Sequence, residues 1–149
     1  MYIINTSLLS SVFILIVGSS LVAFTAVLTH DVRLGPLQTL EYDKVITNIG
    51  NAYDSSHGHF TAPVKGTYMF SATVCDSGAV IRAEMVRNGV QVVAMGGDKY
   101  DSASQTIMLS LEQNDMVWVR HFKEATSTAH AGSDRYYTSF SGALITALQ

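Results

Sequence analysis

Thr67-Tyr68-Met69-Phe70-Ser71-Ala72-Thr73-Val74 places Tyr68, Phe70, Ala72 and Val74 on one side of an extended chain and Met69, Ser71 and Thr73 on the other. Successive side chains of a strand point to opposite faces, so this stretch reads as a half-buried β-strand. Downstream, Asn88-Gly89 separates two apolar-alternating runs between Val80 and Met95. Both residues tolerate the positive φ of a type I′ turn, and the segment predicts a hairpin. Upstream, Val22, Phe24, Ala26 and Leu28 alternate with Ala23, Thr25, Val27 and Thr29, the pattern of a first strand. Ile107, Leu109 and Leu111 lead through Gln113-Asn114-Asp115 into Met116 to His121, which predicts a second hairpin with a longer turn. A last strand runs from about Tyr136 to Leu148, with Phe140, Leu144 and Leu148 on one face and Gly142 at a point of close packing. The expected fold class is all-β: about ten strands in a two-sheet sandwich, immunoglobulin-like or jelly-roll. A single cysteine, Cys75, disfavours an immunoglobulin domain built on a disulfide.

The 149 residues suit one domain, and 48% apolar content with 14% charge excludes a disordered chain. Nine basic against 12 acidic residues give a net charge of −3 without a basic cluster, so no nucleic-acid footprint exists. Gly at 11 positions and Pro at 2 exclude a collagen repeat, and one cysteine excludes an internal disulfide framework or a cysteine-based zinc cluster. No charged residue precedes Asp31. The apolar run Leu8 to Val17, followed by Gly18-Ser19-Ser20, reads as a secretory signal over residues 1–20, leaving a mature head of residues 21–149. Apolar character continues through Phe24, so an uncleaved membrane anchor is the alternative. With the signal cleaved, the expectation is a secreted, extracellular protein without stable membrane insertion.

Tyr42, Asn48, Tyr53, Phe60, Gly66, Tyr68 and Phe70 form a spacing that resembles the globular head of the complement C1q family. Val22-Ala23-Phe24-Thr25-Ala26, Asn88-Gly89, Leu109-Ser110-Leu111 with Asp115-Met116-Val117-Trp118-Val119, and Ser139-Phe140-Ser141-Gly142-Ala143-Leu144 fall in family order, so the resemblance covers Leu21 to the C-terminus. Tyr42 stands where the family usually has Phe, and Ala72 where a second aromatic is usual, so Met69 or Met85 is expected to fill space there. The resemblance implies a ten-stranded jelly-roll, shared with tumour necrosis factor-like ligands, that assembles as a homotrimer. It also implies a stalkless secreted member of innate immunity that binds microbial glycans or lipopolysaccharide. A structural extracellular-matrix trimer or a receptor ligand is the rival reading.

No Gly-rich phosphate loop, His-Glu-x-x-His, Cys-x-x-Cys or Gly-x-Ser-x-Gly is present, and no enzyme is expected. His57 and His59 read as a polar loop, since structural zinc wants four ligands. Cys75 reads as a buried small residue, and Trp118 as core. Tyr100, Asp134, Arg135 and Tyr137 are the candidate ligand-binding residues, an open set of aromatic and charged groups able to stack on or hydrogen-bond a sugar. Gly96-Gly97-Asp98-Lys99-Tyr100-Asp101-Ser102 offers the carboxylates of Asp98 and Asp101 as hard oxygen ligands for calcium. By position this loop is similar to one from which family heads bind calcium.

Overall fold

The computed structural model describes residues 20–124 and 126–149. The expected leader falls, apart from its last residue, on residues 1–19 and lies outside the described residues. The strands are β1 Ala23–Val27, β2 Val32–Leu34, β3 Lys44–Ile49, β4 Tyr53–Asp54, β5 His59–Thr61, β6 Gly66–Cys75, β7 Ile81–Arg87, β8 Val90–Gly97, β9 Ser102–Leu111, β10 Met116–His121, β11 Ser127–Ala129 and β12 Ser139–Ala147. Ten of them form two five-stranded sheets, ordered β3-β1-β12-β6-β9 and β4-β5-β10-β7-β8. The expected jelly-roll sandwich is present, and β2 with β11 adds a two-stranded ribbon beyond the ten.

Strand β6 shows why these residues form these elements. Its burial alternates strictly along all ten positions, as the Tyr68, Phe70, Ala72, Val74 face requires. Phe24 of β1 lies between the sheets, stacked on Tyr53 at 4.8 Å and Phe60 at 5.4 Å and edge-on to Phe140 at 4.9 Å. Phe60 in turn meets Phe70 edge-on at 5.0 Å. Each such ring contributes about 1.5–3 kcal/mol by burial and about 0.5–1.5 kcal/mol more per favourable ring pair. Gly142 of β12 pairs with Phe24 on one side and Phe70 on the other. A Cβ there would lie 2.6 Å from both rings, so the close packing expected at this glycine is found. Asn48 holds Tyr53 from both directions, its amide donating to the Tyr53 carbonyl at 2.9 Å and its Oδ1 accepting the Tyr53 N–H at 3.2 Å. The Asn88-Gly89 hairpin joins β7 and β8, with φ of 49° and 83°.

Three expectations are corrected. The second hairpin is an arch: β9 pairs with β6 and β10 with β5 and β7, so Glu112 to Asp115 carries the chain from one sheet to the other. Asp115 closes that arch, accepting from the Glu112 N–H at 2.9 Å, Arg87 Nη2 at 2.6 Å and Asn88 Nδ2 at 2.8 Å. Alternation is the same on either side of an arch or a hairpin, which is why the local pattern misleads. Trp118 is not core: Val117, Val119 and His121 are the buried face of β10, and Trp118 lies half-buried on the outer face against His59 at 4.6 Å. The last strand begins at Ser139, because a 3₁₀ turn at Ser133–Arg135 and the left-handed Tyr136 precede it. A register shift between Leu144 and Thr146 ends the inward alternation of β12, and Leu148 is 43% exposed. Of the two methionines offered as alternatives for the space beside Ala72, Met85 is buried in the same core cluster, and Met69 lies on the opposite face of β6.

Tyr42 is fully buried and its hydroxyl has no hydrogen-bond partner among the described residues. Burial pushes its phenol pKa well up, because the charged form has no water around it. Tyr42→Phe is therefore expected to stabilise the fold by about 1 kcal/mol, seen as a rise of a few degrees in Tm. A fall in Tm would show that the hydroxyl is satisfied and useful.

Candidate functional site

Three loops meet at one end of the sandwich, where β6 and β8 finish and β9 begins. The backbone of Asp76 ties two of them, its N–H donating to the Asp101 carbonyl at 3.2 Å. Its side chain holds both, Oδ2 accepting from Gly78 N–H at 2.7 Å and Tyr100 N–H at 3.4 Å. The third loop, after β11, is stitched to β6 by Thr138, whose Oγ1 accepts the Cys75 N–H at 3.1 Å and donates to the His130 carbonyl at 2.7 Å. Asp31 secures the same loop, accepting from Ala131 N–H at 2.9 Å and from His130 Nδ1 at 3.0 Å. Gly132, at φ 73°, precedes the 3₁₀ turn, and any side chain there would overlap the Tyr137 ring.

These loops bring Tyr100 and Tyr137 together. Both line a recess of about 290 Å³ with Cys75 and Ser102. Cys75 is half-buried and free, and burial pushes its thiol pKa up. Tyr100 is 73% exposed and also forms part of a second recess of about 340 Å³, with Arg33, Asp76, Lys99 and Thr126 to Thr128. Asp134 and Arg135 line neither recess. They sit exposed in the 3₁₀ turn, Arg135 reaching the Tyr137 hydroxyl at 3.4 Å. Tyr136 turns away from Tyr137 and accepts a hydrogen bond from Lys44 Nζ at 2.7 Å.

Asp98 and Asp101 stand at the two ends of a tight turn closed by Asp101 N–H to the Asp98 carbonyl at 2.9 Å. Among the described residues no group of three His, Cys, Asp or Glu is arranged to hold a metal. One protomer thus offers calcium two carboxylates, fewer than the six to eight oxygens it takes. His57 and His59 turn to different partners: His57 Nδ1 pairs with Asp54 Oδ2 at 2.6 Å, which raises its pKa, while the His59 ring lies tilted against Trp118. A further recess, about 580 Å³, opens at the β3 and β4 edge. Its Asn48 and Asp54 already spend their hydrogen bonds on Tyr53, Ser56 and His57.

A second feature escaped the sequence reading. Strands β1, β6, β9 and β12, neighbours in the first sheet, contain no charged residue on either face. On their outer side, Thr25 pairs with Ser141 at 2.9 Å, Thr73 with Ser104 at 2.9 Å and Thr106 with Ser71 at 3.0 Å. The hydroxyls satisfy one another laterally, and around them Ile49, Met108 and Ile145 are exposed. The second sheet carries Arg82, Glu84, Arg87 and Arg120 on β7 and β10. A charge count per strand was the available signal.

The C1q domain family matches residues 23–145. The chain belongs to the C1q domain family. Caprin-2 of Danio rerio is 31% identical over 131 residues, covering 83% of this chain and 14% of that protein, so the chain spans a small part of that relative's length. The C1q fold here superposes on the globular domain of zebrafish complement 1qA protein with a TM-score of 0.70 at 18% identity, over 86% of this chain and 99% of that one. Eiger TNF from S. frugiperda gives 0.68 at 12% identity, over 87% and 96%. The fold is thus shared by C1q and TNF-like chains.

Within this C1q head the Asp31 contacts make a pH-sensitive clasp. The Ala131 N–H, then His130, hold the Asp31 carboxyl below its ordinary pKa against the opposing effect of desolvation. A carboxyl lowered by folding stabilises fully above its unfolded pKa, near 3.9, and loses that contribution as pH falls through the lowered value. Between about pH 5 and pH 2, wild-type Tm is expected to fall more steeply than that of Asp31→Asn. Parallel curves would remove the clasp.

Proposed function

We propose that the chain is a secreted, extracellular recognition head of innate immunity that assembles as a homotrimer and binds microbial surface carbohydrate or lipopolysaccharide. The observation that carries the assembly is the outer face of β1, β12, β6 and β9, free of charge and with six of its hydroxyls paired laterally. A surface of that kind loses little by leaving water and suits the core of a subunit interface. A second and third copy are its occupants, as the family resemblance implies.

Recognition, rather than catalysis, is the role proposed for the loop end. Tyr100 and Tyr137 offer aromatic surface and Arg33, Asp76 and Lys99 offer charged groups, in two shallow recesses suited to sugar units. A single such contact is weak. Three equivalent heads raise apparent affinity by about two to four decades where epitope spacing fits. Asp98 and Asp101 are proposed as calcium ligands of the assembled trimer, in which neighbouring copies of the loop would add the oxygens one protomer lacks.

The recombinant protein is expected to bind intact bacteria, to be displaced by simple sugars, and to gain Tm with calcium and lose it with chelator. Asp98→Asn with Asp101→Asn should abolish the calcium response and stabilise the calcium-free trimer by removing carboxylate repulsion. A trimer that ignores bacteria and sugars would instead be a matrix component or receptor ligand. A Tm indifferent to calcium up to several millimolar, the range of extracellular modules, would remove the metal.

A further inference from the structure

Two neighbouring rows of side chains cross the outer face of the first sheet, and they differ in kind. Following the register from β3 through β1, β12 and β6 to β9, one row reads Ile49, Ala23, Ala143, Met69 and Met108. The next reads Thr47, Thr25, Ser141, Ser71 and Thr106. Every side chain of the first is apolar, and every side chain of the second carries a hydroxyl. The hydroxyl row ties itself together, Thr25 to Ser141 and Thr106 to Ser71. The apolar row has no hydrogen bonds to make, and only removal from water stabilises it.

That row is also uneven. Ala23 and Ala143 leave a hollow of about 220 Å³, walled by Met69 and by Thr25, Ser71 and Ser141, while Ile49 and Met108 stand 51% and 60% exposed at the two ends of the row. A hollow and a projection on one charge-free face suit a second copy of this chain, which brings the counterpart of each. Among the described methionines, Met85 and Met95 are closed in the core and Met116 lies on the other sheet. Met69 and Met108 are thus the pair that such a contact covers. A peroxide converts a thioether to a sulfoxide: the O–O bond breaks, an S–O bond forms, two electrons pass from sulfur to the peroxide, and water leaves. The product is polar and accepts hydrogen bonds, so burying it in an apolar contact is unfavourable.

We infer that Met69 and Met108 form a redox-sensitive pair that gates assembly, completing the apolar contact between copies when reduced and keeping the folded protomer out of it when oxidised to sulfoxides. The inference rests on the homotrimer reading above and adds a control to that contact. Neither methionine belongs to the aromatic core, so their oxidation leaves the fold intact. To test it, the protein is treated with hydrogen peroxide at nanomolar concentration, returned to micromolar concentration and weighed by sedimentation equilibrium, with peptide mass mapping to locate each sulfoxide. Protein oxidised at Met69 or Met108 is expected to keep its native near-ultraviolet dichroism and to need a roughly tenfold or more higher concentration to assemble. Methionine sulfoxide reductases should restore three times the chain mass. Met69→Leu with Met108→Leu keeps the row apolar at similar volume, and should give a trimer that peroxide leaves intact although Met85, Met95 and Met116 remain. If that variant does not assemble, restoration by the reductases decides.

A trimer that persists with Met108 fully converted to sulfoxide overturns the gate, as does dissociation of the double leucine variant under the same peroxide. Loss of the native dichroism on oxidation overturns it too, by tracing dissociation to the fold. So does survival of both thioethers at nanomolar concentration, since the face then never opens to the oxidant. A wild type that is monomeric at micromolar concentration before any treatment refutes the homotrimer reading itself.

Discussion

Phe24 touches rings from both sheets, and the distance between those sheets is set by what surrounds it. Tyr53 and Phe60 stack on it from one side, Phe140 meets it edge-on, and Gly142 leaves room for Phe24 and Phe70 to approach across β12. Added bulk at Gly142 would push β1 and β6 apart, because interiors are too closely packed to absorb a methyl group at 2.6 Å. The register of the first sheet depends on that packing, and the loops at its end inherit their positions from the register. Cys75 meets Ser102 across β6 and β9 because the ladder holds for ten consecutive pairs, and this sets Asp76 beside the turn that carries Tyr100.

The two sheets divide the remaining work. Charge sits on the second, where Arg120 Nε bonds Glu84 Oε1 at 2.6 Å and Arg87 bonds Asp115 at the arch. Such a face stays comfortably in water. Four strands of the first sheet, β1, β12, β6 and β9, offer threonine, serine and apolar side chains, with six of the hydroxyls bonded pairwise to one another, so a like surface can cover them without stranding a charge. Loops at the end of the sandwich are thereby left free, held at their bases by Asp76, Thr138 and Asp31 and open at Tyr100 and Tyr137.

Much of this was legible in the chain. Alternation at Thr67 to Val74 and the Asn88-Gly89 turn foretold β6 and the β7, β8 hairpin, because a half-buried strand and a positive-φ turn leave local marks. The spaced aromatics Tyr42, Tyr53, Phe60, Tyr68 and Phe70 foretold the core they form. The arch at Glu112 to Asp115 was not legible, since which sheet a strand joins is a long-range choice. Trp118 was misplaced because period-two patterns give two faces without saying which is inside, and here Val117 and Val119 decide it. Tyr100 and Tyr137 are legible as open aromatics, but their neighbour Asp76 carries no local mark in the sequence. Its burial, and the oxygen left unpartnered, depend on residues as distant as Tyr100.

The account turns on the charge-free sheet face being covered by copies of the same chain. Sedimentation equilibrium of the wild type beside Met108→Lys addresses this directly, because Met108 is 60% exposed at the centre of β9 and pairs with Met69 on that face. The wild type should sediment at three times the chain mass at micromolar concentration, and the variant as a folded monomer with native near-ultraviolet dichroism. A wild-type monomer, or a trimer indifferent to the lysine, would contradict the account.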